Sequence, residues 1–178
     1  MTAAARGAIQ TYGEVSPVRI GLGENVRVRS VAMLNHALAQ TMALRDLYKK
    51  HHWQTSGEQF YELHLLFDKH YNEQVDATDA LAERVQALGG VAIAAAHDVI
   101  EVSRIPRPPR DRESAAAQLE RLLEAHDILL TEVRPLAREA ADLGDDGTND
   151  LIVSQIIRLN EAQAWFLSEH LRKSSAKA

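Results

Sequence analysis

The chain has 178 residues, of which 46% are hydrophobic and 25% charged, and this composition is typical of one globular domain. It contains no cysteine, which excludes disulfides, thiolate metal sites, iron–sulfur clusters and a thiol nucleophile. Any metal must therefore bind to His, Asp and Glu. The formal net charge of −5 argues against nucleic-acid binding by bulk charge.

Glycine, proline and aromatic residues are scarce, which favours helices over a sandwich or barrel. No apolar stretch is long enough to span a membrane, and the N-terminus lacks the apolar core and cleavage site of a secretory signal. We therefore expect an all-α, cytoplasmic protein with no membrane partner.

The first half of the chain divides into a tail and two helices. Residues 1–27 show no sustained hydrophobic period and are predicted to form a flexible N-terminal tail. Over residues 28–54, apolar residues recur at spacings of three and four, which predicts the first helix. A longer second helix is predicted over residues 58–88, and the Gly89-Gly90 pair that follows is typical of a helix C-cap.

A long connection is predicted over residues 89–110. It includes a short helix at 95–102 and then the proline-rich run RIPRPPR, which ends at Arg110. The third helix is predicted over residues 111–143, and Pro135 inside it should kink the helix or remove a backbone hydrogen bond.

After a turn rich in glycine and aspartate, Thr148 is a good N-cap for a fourth helix that runs to about Lys173. Residues 174–178 then form a short C-terminal tail. Four long helices and one connection long enough to span them predict a four-helix bundle over residues 28–173. A single crossover of this kind occurs in ferritin-like folds.

The second helix carries four side chains that suit iron, manganese or zinc: His64, Asp68, Asp79 and Glu83. At about 100° per residue they fall at roughly 0°, 40°, 60° and 100°, so they share one face of the helix. His64 and Asp79 are about 22 Å apart along the axis. The two pairs therefore cannot bind one metal within one chain.

A second, antiparallel copy of this helix would bring the pairs together. The pairs His64–Glu83 and Asp68–Asp79 share the midpoint 73.5, so a two-fold axis there sets the members of each pair opposite each other. Two identical mixed sites result, and His52 at the end of the first helix can add a nitrogen to each. The alternative is that both spaced pairs are merely solvated helix faces.

Two segments of the chain, KKHHWQTSGEQFYELHLLFD (Lys49 to Asp68) and DALAERVQALGG (Asp79 to Gly90), strongly resemble the Dps family. These are the DNA-binding proteins from starved cells, or mini-ferritins. The resemblance covers roughly residues 30–172. It implies a hollow shell of twelve ferritin-like four-helix subunits, with a ferroxidase centre at each two-fold interface.

The family pattern implies iron ligands from both subunits of a dimer: His52, His64 and Asp68 from one, and Asp79 and Glu83 from the other. This is the same pairing that the two-fold axis produces. Trp53 matches the tryptophan beside the centre and joins these five as a candidate catalytic residue. Trp165 also matches a family aromatic, and core packing is the alternative for both tryptophans. Lys49 matches a lysine that lies near the centre in some members of the family, and we expect it to be able to pair with Asp68.

The implied activity is that of a ferroxidase, which oxidises Fe(II) with hydrogen peroxide. The ferric mineral would be stored in the shell, protecting DNA from oxidative damage, and zinc or another divalent metal is compatible with the same ligands. The absence of a Glu-x-x-His motif argues against the larger ferritins. The other six histidines are expected to be surface or core residues without a role: His36, His51, His70, His97, His126 and His170.

The turn before the fourth helix is acidic. The family places this region at three-fold pores, where rings of carboxylates concentrate Fe(II), and Asp142, Asp146 and Asp150 are the candidates. The alternative is that these acids only cap the fourth helix, and the two roles are compatible.

The alternative function is that of a DNA-binding, nucleoid-compacting structural protein that uses basic tails. The cationic residues that the tails would supply are Arg6, Arg19, Arg27, Arg29, Arg172, Lys173 and Lys177. The intact ligand set favours the enzyme, and the short, weakly basic tails disfavour the structural role. DNA is therefore expected to be a weak partner.

Overall fold

The computed structural model describes residues 7–172, and these residues are helical with no strand. The helices are α1 (Glu24–Gln54), α2 (Phe60–Ala87), α3 (Ala96–Val102), α4 (Ala115–Asp142), α5 (Asp146–Leu151) and α6 (Arg158–Leu171). A π-helical segment, Ile152–Ile157, joins α5 to α6, and the three pieces together form the fourth long helix. The predicted all-α class is confirmed.

The long helices form a four-helix bundle in which α1 packs along α2, and α4 packs against both α1 and the fourth long helix. The short α3 lies in the crossover between α2 and α4 and packs against α1. The core is aliphatic with few aromatic rings, and its largest fully buried side chains include Leu34, Leu38, Leu44, Tyr48, Leu63, Phe67, Leu119, Leu122 and Leu129. None of the helices described is both long and apolar enough to cross a membrane.

Helix α1 begins at Glu24, inside the stretch that the sequence assigned to the tail. The preceding Gly23 provides no side-chain cap, so no local signal marks this start. Upstream of the helix, Ser16 N–H donates to the carbonyl of Gly89 over 2.8 Å, and the Gln10 amide donates to the same carbonyl over 2.8 Å. The segment before α1 is therefore attached to the C-terminal end of α2.

The predicted C-cap of α2 is confirmed at Gly89 and Gly90. Gly89 has φ +82°, and the Gly90 N–H donates to the carbonyl of Val85 over 2.9 Å, which closes a Schellman motif. A Cβ on Gly89 would meet the carbonyl oxygen of Ser16, and a Cβ on Gly90 would lie 2.6 Å from a methyl of Val31. Both glycines are required by close approach of neighbouring segments.

Helix α4 begins at Ala115, where the Ser114 hydroxyl accepts from the Ala117 N–H over 3.3 Å. The start predicted at residue 111 was therefore about one turn early. Pro135 lies inside α4, and the helix continues past it to Asp142, so the proline does not break it.

The predicted N-cap of the fourth helix, Thr148, was wrong, because Asp145 is the cap. The Asp145 side chain accepts from the Thr148 N–H over 3.1 Å and from the Thr148 hydroxyl over 2.7 Å. Arg84 of α2 also donates to Asp145 over 2.6 Å, which fixes the buried carboxylate in place. Thr148 thus lies inside the first turn as a donor.

Candidate metal centre

His52, at the end of α1, and His64, in the second turn of α2, form a reciprocal pair. His52 Nδ1 lies 2.9 Å from the carbonyl oxygen of His64, and His64 Nδ1 lies 3.0 Å from the carbonyl oxygen of His52. Their imidazole rings stack, with centroids 3.8 Å apart and an interplanar angle of 24°. Each histidine therefore fixes the orientation of the other.

These contacts determine which ring nitrogen is free. A carbonyl oxygen only accepts hydrogen bonds, so both Nδ1 atoms carry the hydrogen. The lone pair that binds a metal is then on Nε2 of each ring. Backbone carbonyls orient metal-binding histidines in this way, and the side chain of His52 is only 13% exposed, so its ring has little freedom to turn.

Asp68 lies one turn after His64, and its Oδ1 is 3.8 Å from His52 Nε2. Lys49 donates to the same oxygen over 2.7 Å, and its ammonium lies 4.3 Å from the centroid of the Tyr71 ring. The hydrogen bond from Lys49, helped by the Lys49 charge, lowers the pKa of Asp68. The carboxylate is therefore ionised at neutral pH, as a metal ligand must be.

Asp79 and Glu83 lie farther along α2 and are exposed to solvent. Because helix α2 is uninterrupted, His64 and Asp79 are about 22 Å apart along its axis, as predicted. Within one chain, residues 7–172 contain no group of three or more His, Asp or Glu side chains placed to hold a metal. A site that uses both pairs therefore needs a second copy of the chain.

The same face of α2 also carries exposed apolar side chains. Tyr61, Leu65 and Val75 are 69%, 50% and 37% exposed, and at about 100° per residue they fall at roughly 60°, 100° and 20° from His64. All three lie within the sector that the four candidate ligands span. Exposed apolar side chains gathered with ordered polar groups are typical of a surface that another chain covers.

Comparison with known proteins identifies the family of this chain. The ferritin-like domain family matches residues 31–176. DpsC from Streptomyces coelicolor is 47% identical and superposes with a TM-score of 0.93, covering 96% of this chain and 99% of that one. The nutrient stress-induced DNA-binding protein of Nostoc sp. is 32% identical over 94% of this chain and 90% of the relative.

The chain belongs to the Dps family of ferritin-like proteins. The Dps protein of Vibrio cholerae, which is 27% identical with a TM-score of 0.81, is described as a member of the ferritin-like diiron-carboxylate proteins. That match covers 88% of this chain and the whole of the relative. The resemblance of the two segments on α1 and α2 to Dps is thus confirmed at the level of the family.

Neither tryptophan of this Dps chain is a core residue. Trp53 follows His52 directly and is 70% exposed, and Trp165 on α6 is 60% exposed. The Trp165 indole donates to Glu169 over 3.2 Å, and its ring lies 5.0 Å from the ring of Phe166. The core-packing alternative was therefore wrong for both.

The acidic turn of the Dps subunit separates into one buried carboxylate and three exposed ones. Burial would raise the pKa of Asp145, but the hydrogen bonds from Thr148 and the charge of Arg84 outweigh it and lower the pKa. Asp142, Asp146 and Asp150 are all exposed. The capping role thus belongs to Asp145, which leaves the three predicted pore residues free to face solvent or a neighbouring subunit.

The bundle interior holds a polar cluster that sequence reasoning missed. The Tyr48 hydroxyl lies 2.5 Å from His126 Nε2 and 3.1 Å from His70 Nδ1, and all three side chains are buried. Burial lowers the pKa of His126 to about 3 and that of His70 to about 4, so both imidazoles are neutral. In the sequence, His70 and His126 cannot be told from His52 and His64 by residue type, and only the side of the helix on which each one lies distinguishes them.

Two arginines that were counted as tail charges lie in α1. Arg27 is 5% exposed and donates to the carbonyls of Ser16 and Leu88, over 2.8 and 3.0 Å. Arg29 pairs with Glu139, with its Nη2 2.5 Å from the carboxylate. Both charges are used within the subunit, which weakens the case for DNA binding by the N-terminal segment. Arg6, Lys173 and Lys177 lie outside the described residues.

Proposed function

We propose that this Dps protein oxidises Fe(II) with hydrogen peroxide at centres shared by two subunits. The observation that carries this proposal is the reciprocal His52–His64 pair, in which both Nδ1 atoms contact carbonyls and both Nε2 atoms are left for a metal, with Asp68 Oδ1 3.8 Å from that of His52.

The second half of the centre would come from another subunit. With the two-fold axis at position 73.5 of α2, Glu83 of one chain faces His64 of the other, and Asp79 faces Asp68. The exposed Tyr61, Leu65 and Val75 on the same face supply apolar area for the contact. In this arrangement the ligands of one chain do not complete a centre, and each dimer has two complete centres.

Each residue type would have a distinct part in the reaction. The imidazoles of His52 and His64 would bind Fe(II) through nitrogen, and the carboxylates of Asp68, Asp79 and Glu83 favour Fe(III) because they are hard anions. Two Fe(II) ions together give two electrons to one hydrogen peroxide, which takes up two protons and leaves as two waters. This pairing avoids release of hydroxyl radical.

The wider function follows from the family. We propose that twelve subunits enclose a cavity, that Asp142, Asp146 and Asp150 line pores for Fe(II), and that the ferric product is stored inside. Exposed carboxylates around a pore concentrate cations by focusing the field.

Trp53 lies beside His52 in the chain and is the proposed aromatic neighbour of the centre. The protein would protect cytoplasmic DNA by removing iron and peroxide together, and zinc would compete for the same ligands.

The test of this proposal targets the partner half of the centre. Asp79→Asn with Glu83→Gln should lower the rate of Fe(II) oxidation by peroxide by at least about 100-fold, because carboxylate ligands are lost. The matched control is Glu124→Gln with Asp127→Asn, which removes two exposed carboxylates from α4 and should leave the rate unchanged. The rate is measured as formation of ferric absorbance after rapid mixing.

Two outcomes contradict the proposal. One is an Asp79/Glu83 variant that assembles normally and oxidises Fe(II) as fast as the parent protein. The other is a chain that light scattering shows to be monomeric while it retains full oxidation, because a monomer has only half of each centre.

A further inference from the structure

The hydroxyl of Tyr48 lies between two imidazoles in the bundle interior, and the iron chemistry described above makes no use of it. A phenol has a single O–H, so it donates to one ring while its oxygen accepts from the other. We assign the donated hydrogen to the shorter contact, 2.5 Å to His126 Nε2, and His70 Nδ1 at 3.1 Å then donates to the oxygen. Tyr48 is fully buried, and both histidines are buried beside it. The phenol therefore has a base in hydrogen-bond contact and is shielded from water.

This tyrosine lies close to the candidate metal centre without belonging to its ligand set. Tyr48 precedes His52 by one turn of α1, which is about 6 Å along the helix axis. Its ring also lies 6.2 Å from the ring of Phe67, centroid to centroid, and Phe67 directly precedes Asp68 in α2. Phe67 is fully buried as well. The phenol is thus separated from two of the proposed ligands by one helical turn and one buried ring, a separation across which an electron can pass by tunnelling.

The other tyrosines lack this arrangement. All four tyrosines lie within residues 7–172, and only Tyr48 has a hydroxyl that is hydrogen-bonded to another of these residues. Tyr12 and Tyr61 are largely exposed. Tyr71 follows Asp68 by one turn, but the Lys49 ammonium lies 4.3 Å from its ring centroid, and a cation there opposes the removal of an electron from the ring. Tyr48 is therefore the tyrosine at which oxidation by one electron is easiest.

We propose that Tyr48, with His126 as its proton acceptor, is a one-electron donor to the metal centre when that centre holds a single Fe(II). This inference rests on the proposed oxidation of Fe(II) by peroxide. A single Fe(II) gives hydrogen peroxide one electron, which yields Fe(III), hydroxide and a hydroxyl radical. An electron from Tyr48 then reduces the hydroxyl radical to hydroxide, and the phenolic proton moves to His126 Nε2. The products are a tyrosyl radical and an imidazolium; an oxidised phenol is so strong an acid that even a weakly basic imidazole takes its proton.

The next Fe(II) restores the tyrosine. When a second Fe(II) reaches the centre, it gives its electron to the tyrosyl radical, and the proton returns from His126 to the phenol. Together the steps convert two Fe(II) and one hydrogen peroxide to two Fe(III) and two hydroxides, which is the same electron balance as in a centre that holds two Fe(II). Iron that arrives one ion at a time therefore completes the two-electron reduction of peroxide.

The test uses electron paramagnetic resonance on the assembled protein. Protein loaded anaerobically with one Fe(II) per centre is mixed rapidly with an equimolar amount of hydrogen peroxide and frozen. The parent should show a tyrosyl radical whose hyperfine pattern changes when the tyrosines are ring-deuterated, and a second anaerobic Fe(II) should abolish it. The signal should be lost in Tyr48→Phe and in His126→Gln, whose amide forms hydrogen bonds but is not a base. The matched control is Tyr71→Phe, which removes another tyrosine hydroxyl near the centre and should keep the signal.

A second measurement uses the unaltered protein without iron and so depends neither on a variant that folds nor on iron oxidation. Photo-oxidised ruthenium tris-bipyridine takes the place of the peroxide-derived oxidant and should produce the same tyrosyl signal. Coupling of that signal to an exchangeable hydrogen, lost after exchange into deuterium oxide, reports the hydrogen bond between the phenolic oxygen and an imidazole.

Three results overturn the inference. The parent protein oxidises Fe(II) at its full rate with two Fe(II) per centre but gives no tyrosyl signal, with one Fe(II) per centre or with the ruthenium oxidant. The signal persists in Tyr48→Phe, or isotope labelling assigns it to a tryptophan. Failure of the proposed function is a different result, because the parent then oxidises Fe(II) with peroxide no faster than iron does without protein, and the inference fails with it.

Discussion

The subunit contains two groups of histidines with opposite environments. His52 and His64 lie near the ends of α1 and α2, where each Nδ1 is hydrogen-bonded to the backbone carbonyl of the other residue. His70 and His126 lie inside the bundle on either side of the Tyr48 hydroxyl. The comparison teaches that environment, not residue type, decides whether a histidine can bind metal or only support the fold.

The same contrast appears in proton binding. Burial lowers the pKa of His51 and His70 to about 4 and that of His126 to about 3, so these rings stay neutral in the folded protein. The ring nitrogens of an imidazole inside the bundle are either hydrogen-bonded to neighbouring groups or buried away from water. The interior histidines therefore contribute to the stability of the fold, whereas we expect His52 and His64 to bind iron.

Single alanine substitutions, one in each group of histidines, should give the largest difference between an effect on iron oxidation and an effect on stability. His64→Ala should lower Fe(II) oxidation by about 10- to 100-fold, because a ligand is lost, and should change the free energy of unfolding by no more than about 1 kcal/mol. His126→Ala should do the reverse. It leaves a cavity and removes a hydrogen-bond partner of Tyr48, which costs about 2–4 kcal/mol, while the assembled protein keeps its oxidation rate.

Denaturant unfolding at equal protein concentration and rapid-mixing kinetics measure the two effects on the same samples. The distinction between the two groups fails if His126→Ala slows oxidation as much as His64→Ala in protein that is fully assembled.

The buried faces of α2 and α4 could be predicted from the sequence, because apolar residues recur there with a clear helical period, whereas α1 is buried on most of its sides. The spacing of His64, Asp68, Asp79 and Glu83 placed them on one face, and α2 is the uninterrupted helix which that argument needs. The Gly89-Gly90 stop was also predictable, since a positive φ at a C-cap selects glycine.

Other features depend on contacts that are distant in sequence. Asp145 and Thr148 are both acceptable caps locally, and Arg84 of α2 selects the aspartate. The charges of Arg27 and Arg29 looked available for DNA, but a pair of carbonyls and Glu139 bind them. The π-helical segment at Ile152–Ile157 has no simple sequence signal, because the change in its backbone hydrogen bonds depends on packing within the bundle.

A smaller effect is expected from the hydroxyl between the interior histidines. Tyr48→Phe should lower the free energy of unfolding by about 1–3 kcal/mol, because buried polar atoms of His70 and His126 lose their partner. The matched control is Tyr61→Phe, which removes the hydroxyl of a 69% exposed tyrosine and should have little effect on subunit stability. Equal losses in the two variants would show that the interior cluster is not specifically stabilising.

The interior histidines also predict a dependence of stability on pH. Their pKa values are lowered in the folded state, so the unfolded chain binds more protons between about pH 6.5 and pH 4, and stability falls as the pH falls through this window. Each buried histidine contributes on the order of 1 kcal/mol per pH unit. His126→Gln should make the denaturant midpoint less sensitive to acid than in the parent, and an unchanged slope would contradict the role of His126.

The shared centre is tested most directly by mixing two inactive variants. One carries His64→Ala and Asp68→Asn, the other Asp79→Asn and Glu83→Gln, and each alone should form only broken centres. In a dimer with one chain of each kind, one centre has both halves broken and the other is intact. Co-expression with random pairing should therefore restore about one quarter of the parent's oxidation rate. Mixed assemblies that contain both chains and show no recovered oxidation would contradict a centre built from two subunits.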